Sequence, residues 1–212
     1  MIKEQIKLTN KNNIKKIKVG ITGGTGSGKT SVCEYLSKKG FQVIDSDAIA
    51  RQLLEKGTAT YNSVVSHFGE KILKDNGEVD RKLLSSIVFG SSEDLKFLQD
   101  VVTRETVQRV KNLLKENTTE KKMIFLDAPL LFETGLDKDV DIVWLVLASQ
   151  SKRLKRISER DGLSDSEIEK RMSAQMPEDQ KEMLADVVIE NEGSLDDLYF
   201  KVDKLLEGLM YF

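Results

Sequence analysis

Cysteine is nearly missing from this chain. Cys33 is the only one among 212 residues, so no disulfide can form within it and no cluster of thiolates can hold a metal, which suits a reducing compartment. Set in a helix-like segment, Cys33 reads as a small packing residue. Histidine is as scarce: His67, the single example, has no partner cysteines or histidines nearby and reads as a packing residue rather than a ligand. No apolar run approaches the roughly 18 residues of a membrane span, and none resembles a signal-peptide core. The expectation is a soluble cytoplasmic protein with no membrane partner. Neither charge dominates. With 33 Lys and Arg against 35 Asp and Glu the net charge is −2, which gives no reason to expect nucleic acid as a partner; any phosphate recognition has to be local. The length allows one sizeable core with elaborations.

The most informative stretch is VGITGGTGSGKTSV, Val19 to Val32. A short apolar strand, Val19 to Thr22, runs into Gly23-Gly24-Thr25-Gly26-Ser27-Gly28-Lys29-Thr30, which fits the pattern G-x-x-x-x-G-K-[ST], and continues into a helix-like segment, Ser31 to Lys38. Glycines at 23, 24, 26 and 28 permit positive φ and leave no Cβ in the way, so successive backbone amides can wrap a phosphate. The helix behind the loop adds its unpaired amides and the positive end of its dipole. Lys29 would reach the β- and γ-phosphates of ATP, and the Thr30 hydroxyl would ligate Mg²⁺. The candidate nucleotide contacts are therefore Gly24, Thr25, Gly26, Ser27, Gly28, Lys29, Thr30 and Ser31.

After this loop, Gly40 stops the helix and Phe41 to Ile44 reads as a strand ending in Asp45-Ser46-Asp47. In a parallel sheet the C-terminal ends of strands share one crevice, which would turn Asp45 and Asp47 toward the phosphate loop. Asp47 is also a good N-cap candidate for the helix that starts at Ala48. Gly57 to Asn117 is helical in period, with stripes Leu83, Leu84, Ile87, Val88 and Leu95, Leu98, Val101, Val102, a turn at Asn76-Gly77 and a cap at Asp80. Sixty residues of helix exceed what a crossover needs. Lys122 to Leu126 is a strand closed by Asp127-Ala128-Pro129, a loose Walker B pattern in which Asp127 serves Mg²⁺ or simply a turn; Glu133 could orient the same waters. Asp141 to Ala148 contains an unbroken apolar strand with Trp144 in the core. Arg153, Arg156 and Arg160 share one helical face, and Arg171 follows on a second helix. They form either a solvated face laced with ion pairs or a lid over phosphates. Ala185 to Ile189 reads as the last strand, Asn191 to Gly193 as a plain turn or part of a base pocket, and Leu195 to Leu209 as the final helix.

These pieces predict an α/β protein with the three-layer P-loop NTPase fold: a parallel sheet, a helical acceptor-binding insertion and a helical lid. Its expected parts are a polar N-terminal extension at 1–18, a core at 19–56 with 121–149 and 184–212, the insertion at 57–120 and the lid at 150–183.

Several blocks together resemble the dephospho-coenzyme A kinase family. They are GITGGTGSGKTSV at 20–32, VIDSDAIAR at 43–51, HFGEKIL with NGEVDRKLL and IVF at 67–89, DAPLLFE at 127–133, RDGLS with Arg171 and Gln175, and ADVVIENEG at 185–193. The resemblance implies transfer of the ATP γ-phosphoryl group to the ribose 3′-hydroxyl of dephospho-coenzyme A, with ATP and Mg²⁺ as cofactors. It implies that Asp47 is the general base and Arg51 helps place the acceptor. Arg160, Arg171 and Gln175 fall in the lid, with Arg160 acting on the transferred phosphate and Arg171 and Gln175 binding the substrate, while Asn191 and Gly193 lie near adenine. One departure stands out: where the family usually has a His-Pro pair heading a helix, this chain has Thr103-Arg104. Rival readings are a kinase of another small alcohol on the same scaffold and a nucleotide-dependent switch, which has no evident need for the VIDSDAIAR carboxylate.

Overall fold

A computed structural model describes residues 16–116, 121–161 and 175–210. The chain divides into two compact units, Asp45–Glu116 and the segments flanking it.

The flanking unit is built on a five-stranded sheet of β1 (Ile17–Thr22), β2 (Gln42–Asp45), β3 (Met123–Asp127), β4 (Ile142–Leu147) and β5 (Val187–Glu190) in the order β2-β3-β1-β4-β5. β1 lies parallel to β3 on one side and β4 on the other, and β4 parallel to β5. β3 is buried at every residue and β4 at all but one, as expected for strands covered on both faces, whose sequence loses its alternation. Helices α1 (Lys29–Lys38) and α8 (Leu195–Met210) place Val32, Cys33, Leu36 and Leu198, Val202, Leu206, Leu209 on Val19, Phe125, Trp144 and Val146. Their 3–4 residue spacing is the periodicity that marked them. Full burial of Phe125 alone contributes roughly 1.5–3 kcal/mol. β5 starts later than Ala185 because that residue still closes α7 (Glu178–Leu184), its amide reaching the Lys181 carbonyl at 3.0 Å.

The other unit is helical: α2 (Ser46–Leu53), α3 (Ala59–Phe68), a 3₁₀ turn at Glu70–Ile72, α4 (Arg81–Phe89) and α5 (Ser92–Glu116). Tyr61, Val64, Phe68, Ile72, Val79, Leu84 and Val88 form its core. Asp80 caps α4 by accepting from the amides of Lys82 and Leu83, and Gly77 takes φ +80° in the Asn76-Gly77 turn. His67 stacks on Phe97 with ring centroids 3.7 Å apart and shares a 2.9 Å hydrogen bond with Asp94.

Two expectations are corrected here. Asp47 is not the cap of α2; Asp45 is, its carboxylate accepting from the Ala48 amide at 2.9 Å. The helix opens at Ser46, directly after β2 ends at Asp45, which leaves Asp45 in the extended conformation of a cap and puts Asp47 inside the first turn. Nor does a helix begin at Thr103-Arg104. Both lie inside the 25-residue α5, which no proline interrupts.

Candidate active site

The phosphate-loop motif occupies the turn from β1 to α1. Gly26 and Gly28 take φ of +81° and +99°, conformations that side chains with a Cβ resist. Gly28 is the N-cap of α1 and no side chain caps the helix, so its first amides keep their donor capacity. A Cβ at Gly28 would also sit 2.1 Å from Asn191 Nδ2.

Three side chains grip the loop by its carbonyls. Arg153 Nε donates to Thr25 O at 2.8 Å, Arg156 Nη1 to Gly26 O and Ser27 O at 3.3 Å each, and Asn191 Nδ2 to Ser27 O at 2.7 Å. Arg156 Nη2 also reaches Asn191 O at 3.1 Å. Both arginines come from α6 (Gln150–Asp161), where residues three apart share a face. Gln175 Oε1 accepts from the Thr25 amide at 3.4 Å. The Ser27 hydroxyl is buried without a hydrogen-bond partner.

Lys29 forms an ion pair with Asp127 in which both side chains are largely buried. Pairing of β1 with β3 sets Asp127 beside Ile21, which carries the carboxylate to the loop that follows β1. Beyond it, Pro129 O accepts from Thr22 Oγ1 at 3.2 Å and from Lys181 Nζ at 3.0 Å. Glu133 pairs with the fully buried Lys181 at 3.1 Å and accepts from the Met176 amide at 2.8 Å. A lysine removed from water needs that counter-charge. Glu178 pairs with Arg153 at 2.6 Å. Burial pushes the Glu178 carboxyl up from its usual range, against the pull of Arg153, Lys181 and the Gly24 amide; burial likewise lowers the Arg153 guanidinium.

The sequence-predicted residues thus fall in several places. Lys29, Asp127, Gln175 and Asn191 gather at the loop. Thr30 is the second residue of α1 and is exposed, with Ser31 beside it half-buried, while Arg160 is exposed one turn past Arg156 on α6. Gly193 stands two residues before α8: a Cβ there would meet Asp197 Oδ2 at 2.4 Å, and that oxygen accepts from the Ser194 amide at 2.8 Å. Arg171 and most of the N-terminal extension lie outside the described residues. In the Asp45–Glu116 unit, Asp47 is exposed in the first turn of α2. Arg51 lies one turn on, pairing with Asp45 at 3.5 Å while its carbonyl accepts from Arg81 Nη2 at 3.2 Å.

The family model described as dephospho-CoA kinase matches residues 17–197, most of the chain. This chain belongs to the dephospho-CoA kinase family. A dephospho-CoA kinase of Arabidopsis thaliana is 43% identical over 189 residues, covering 89% of this chain and 82% of the relative. One of Fusobacterium nucleatum is 42% identical and covers 90% and 97%. Among solved structures, a Thermus thermophilus protein aligns with TM-score 0.76 at 36% identity over 92% of this chain and 98% of its own. The Campylobacter jejuni dephospho-CoA kinase aligns at 0.70 and 27%, over 91% and 96%. The chain is a phosphate-transferring kinase of this family with its α/β fold.

Sequence reasoning left Glu178 and Lys181 unassigned. A fully buried lysine in a seven-residue helix carries no periodic signal, and only the positions of Pro129 and Glu133 explain it.

Proposed function

We propose that this kinase transfers the γ-phosphoryl group of ATP to the ribose 3′-hydroxyl of dephospho-coenzyme A in the last step of coenzyme A synthesis, in the cytoplasm. The observation that carries the reading is a glycine loop whose helix has no side-chain cap and whose lysine faces the Asp127 carboxylate, in a chain that the dephospho-CoA kinase model matches over 17–197. Uncapped amides and a buried, unpartnered Ser27 hydroxyl suit an oxygen-rich polyanion.

ATP binds along Gly24 to Ser31, and Lys29 exchanges Asp127 for the β- and γ-phosphates. The described residues hold no cluster of three or more metal-ligating side chains. That fits Mg²⁺, which is usually held by one or two protein ligands together with substrate phosphates; Thr30 and Asp127 are the ones present. When bound, Mg²⁺ neutralises charge on the transferred phosphate. Asp47 accepts the proton of the acceptor hydroxyl and Arg51 helps hold the acceptor. Segment 57–120 serves the acceptor and 150–183 forms a lid, in which Arg160 acts on the transferred phosphate and Arg171 and Gln175 bind the acceptor, while Asn191 and Gly193 serve adenine. In-line positioning and charge neutralisation supply most of the catalysis.

Incubation with ATP, Mg²⁺ and a panel of acceptors, following ADP release and product mass, tests the assignment. Dephospho-coenzyme A should be phosphorylated far faster than nucleosides, nucleotides or shikimate-like alcohols; equal rates with any of them would refute it. Asp47→Asn should lower kcat on the order of 10²-fold or more while ATP binding changes little. Full turnover by that variant would remove the base role from Asp47.

A further inference from the structure

A peptide unit is planar and trans, so drawing one carbonyl outward turns the next residue's amide the opposite way. At the phosphate loop the carbonyls of Thr25, Gly26 and Ser27 are all drawn onto side chains. The amides of Gly26, Ser27 and Gly28 are therefore aimed away from those side chains, and the Ser27 amide closes a turn onto Gly24 O at 3.0 Å. The orientation of the loop's donors is set from behind by groups that need not touch a ligand.

Arg153 differs from the other arginines of α6. Its side chain is 5% exposed, and its guanidinium is used at both ends, Nε on Thr25 O at 2.8 Å and Nη1 on Glu178 at 2.6 Å. Glu178 stands at the start of α7, one turn before Lys181, which is tied to Pro129 O and Glu133. The short helix is thereby anchored both to the phosphate loop and to the turn after Asp127. A Cβ at Gly24 would lie 2.0 Å from Glu178 Oε1 and 2.5 Å from Arg153 Nη2. Close approach of this pair, rather than a left-handed backbone, requires glycine at 24.

We propose that Arg153, held in place by Glu178, is a positioning residue of the phosphate loop: it sets the Thr25 peptide plane and so aims the Gly26 amide at the nucleotide phosphates. The proposal rests on the reading of this loop as the nucleotide site. Arg153 does its work through Thr25, and Glu178 supplies the counter-charge that a buried guanidinium needs. A pair that merely filled the space between α6 and α7 would affect folding alone.

Metal-free ADP binding measured by calorimetry, together with thermal melting, separates the two. Arg153→Met should weaken ADP binding about tenfold or more, lower the melting temperature, and leave KM for dephospho-coenzyme A unchanged. In Arg153→Met/Glu178→Gln the uncompensated carboxylate is gone, so melting should recover while the ADP deficit persists. Arg153→Lys keeps a cation beside Glu178 but not the two-ended fork; it should melt close to the parent and still bind ADP weakly, and it serves if the methionine variant does not fold. Parental ADP binding by Arg153→Met or by Arg153→Lys, or recovery of both readouts in the double variant, overturns the proposal. Lys29→Ala, run in parallel, should lose ADP affinity. If it binds ADP like the parent, the reading of the loop fails and the proposal with it; if it loses affinity while Arg153→Met does not, the proposal alone fails.

Discussion

Lys29 and Asp127 neutralise one another in a largely buried setting, where an unpaired charge of either sign is costly. A polyphosphate that takes Lys29 must therefore displace Asp127, and the freed carboxylate becomes available to a metal ion. Under the proposed function this gives Asp127 two opposed effects on nucleotide. Asp127→Asn should bind metal-free ADP at least as tightly as the parent, because a competitor for Lys29 is gone. Turnover with Mg²⁺ should fall on the order of 10²-fold. Parallel loss of both, measured by calorimetry and by ADP release, would reduce Asp127 to a structural residue. At this scale the sequence showed the loop's own residues well: Lys29, Gly26 and Gly28 stand in a local pattern whose spacing is the chemistry. Asn191 was visible as a residue of interest but not as a donor to Ser27 O, since that contact joins positions 164 residues apart. Arg153 stood out only as one of a stripe, because burial of one arginine in a stripe depends on what faces it.

Among elements, those with a long apolar pattern were legible and their ends less so. β3, β4 and α8 lie within a residue or two of where periodicity put them, since a buried stripe is a property of many residues at once. α2 was misplaced by two residues because Asp45 and Asp47 are both capping types, and the choice between them depends on where β2 stops. Of the stripe in α4, Leu84 and Val88 are buried but Leu83 is 40% exposed; the spacing was right and the face slightly wide. The cap at Asp80 is the case where sequence and structure agree in detail. Its carboxylate takes two amides, at 3.0 and 3.1 Å, so Asp80→Ala should cost about 1 kcal/mol. Chemical denaturation should show this as a lower midpoint with an unchanged slope, and an unchanged midpoint would mean that water replaces the cap.

Over the whole molecule the near-neutral net charge has a local counterpart at the phosphate loop, where Asp127, Glu178 and Glu133 face Lys29, Arg153 and Lys181. Lys29, Arg153, Arg156 and Lys181 all act within the loops that follow β1 and β3, while the acidic groups with lowered pKa values stand elsewhere on the surface. The His67 hydrogen bond holds Asp94 below the usual carboxylate range. The Ser149 amide does the same for Glu192, and Ser194 for Asp197. Each group is more acidic folded than unfolded, so each contributes stability that is present above the unfolded value and lost as pH falls through the folded one. Glu178 has the opposite sign. Burial raises its folded value, so the stability linked to its proton is present at low pH and lost as pH rises through that raised value. Melting temperature should therefore drop below about pH 4, where those three carboxylates and Asp203, which is lowered as well, take up protons. Replacing Asp197 by Asn should flatten the acid limb, whereas Glu178→Gln should leave that limb in place and change the curve only on its higher-pH side. A Glu178→Gln profile that loses the acid limb would show that the buried pair beside the phosphate loop, and not the surface caps, governs acid stability.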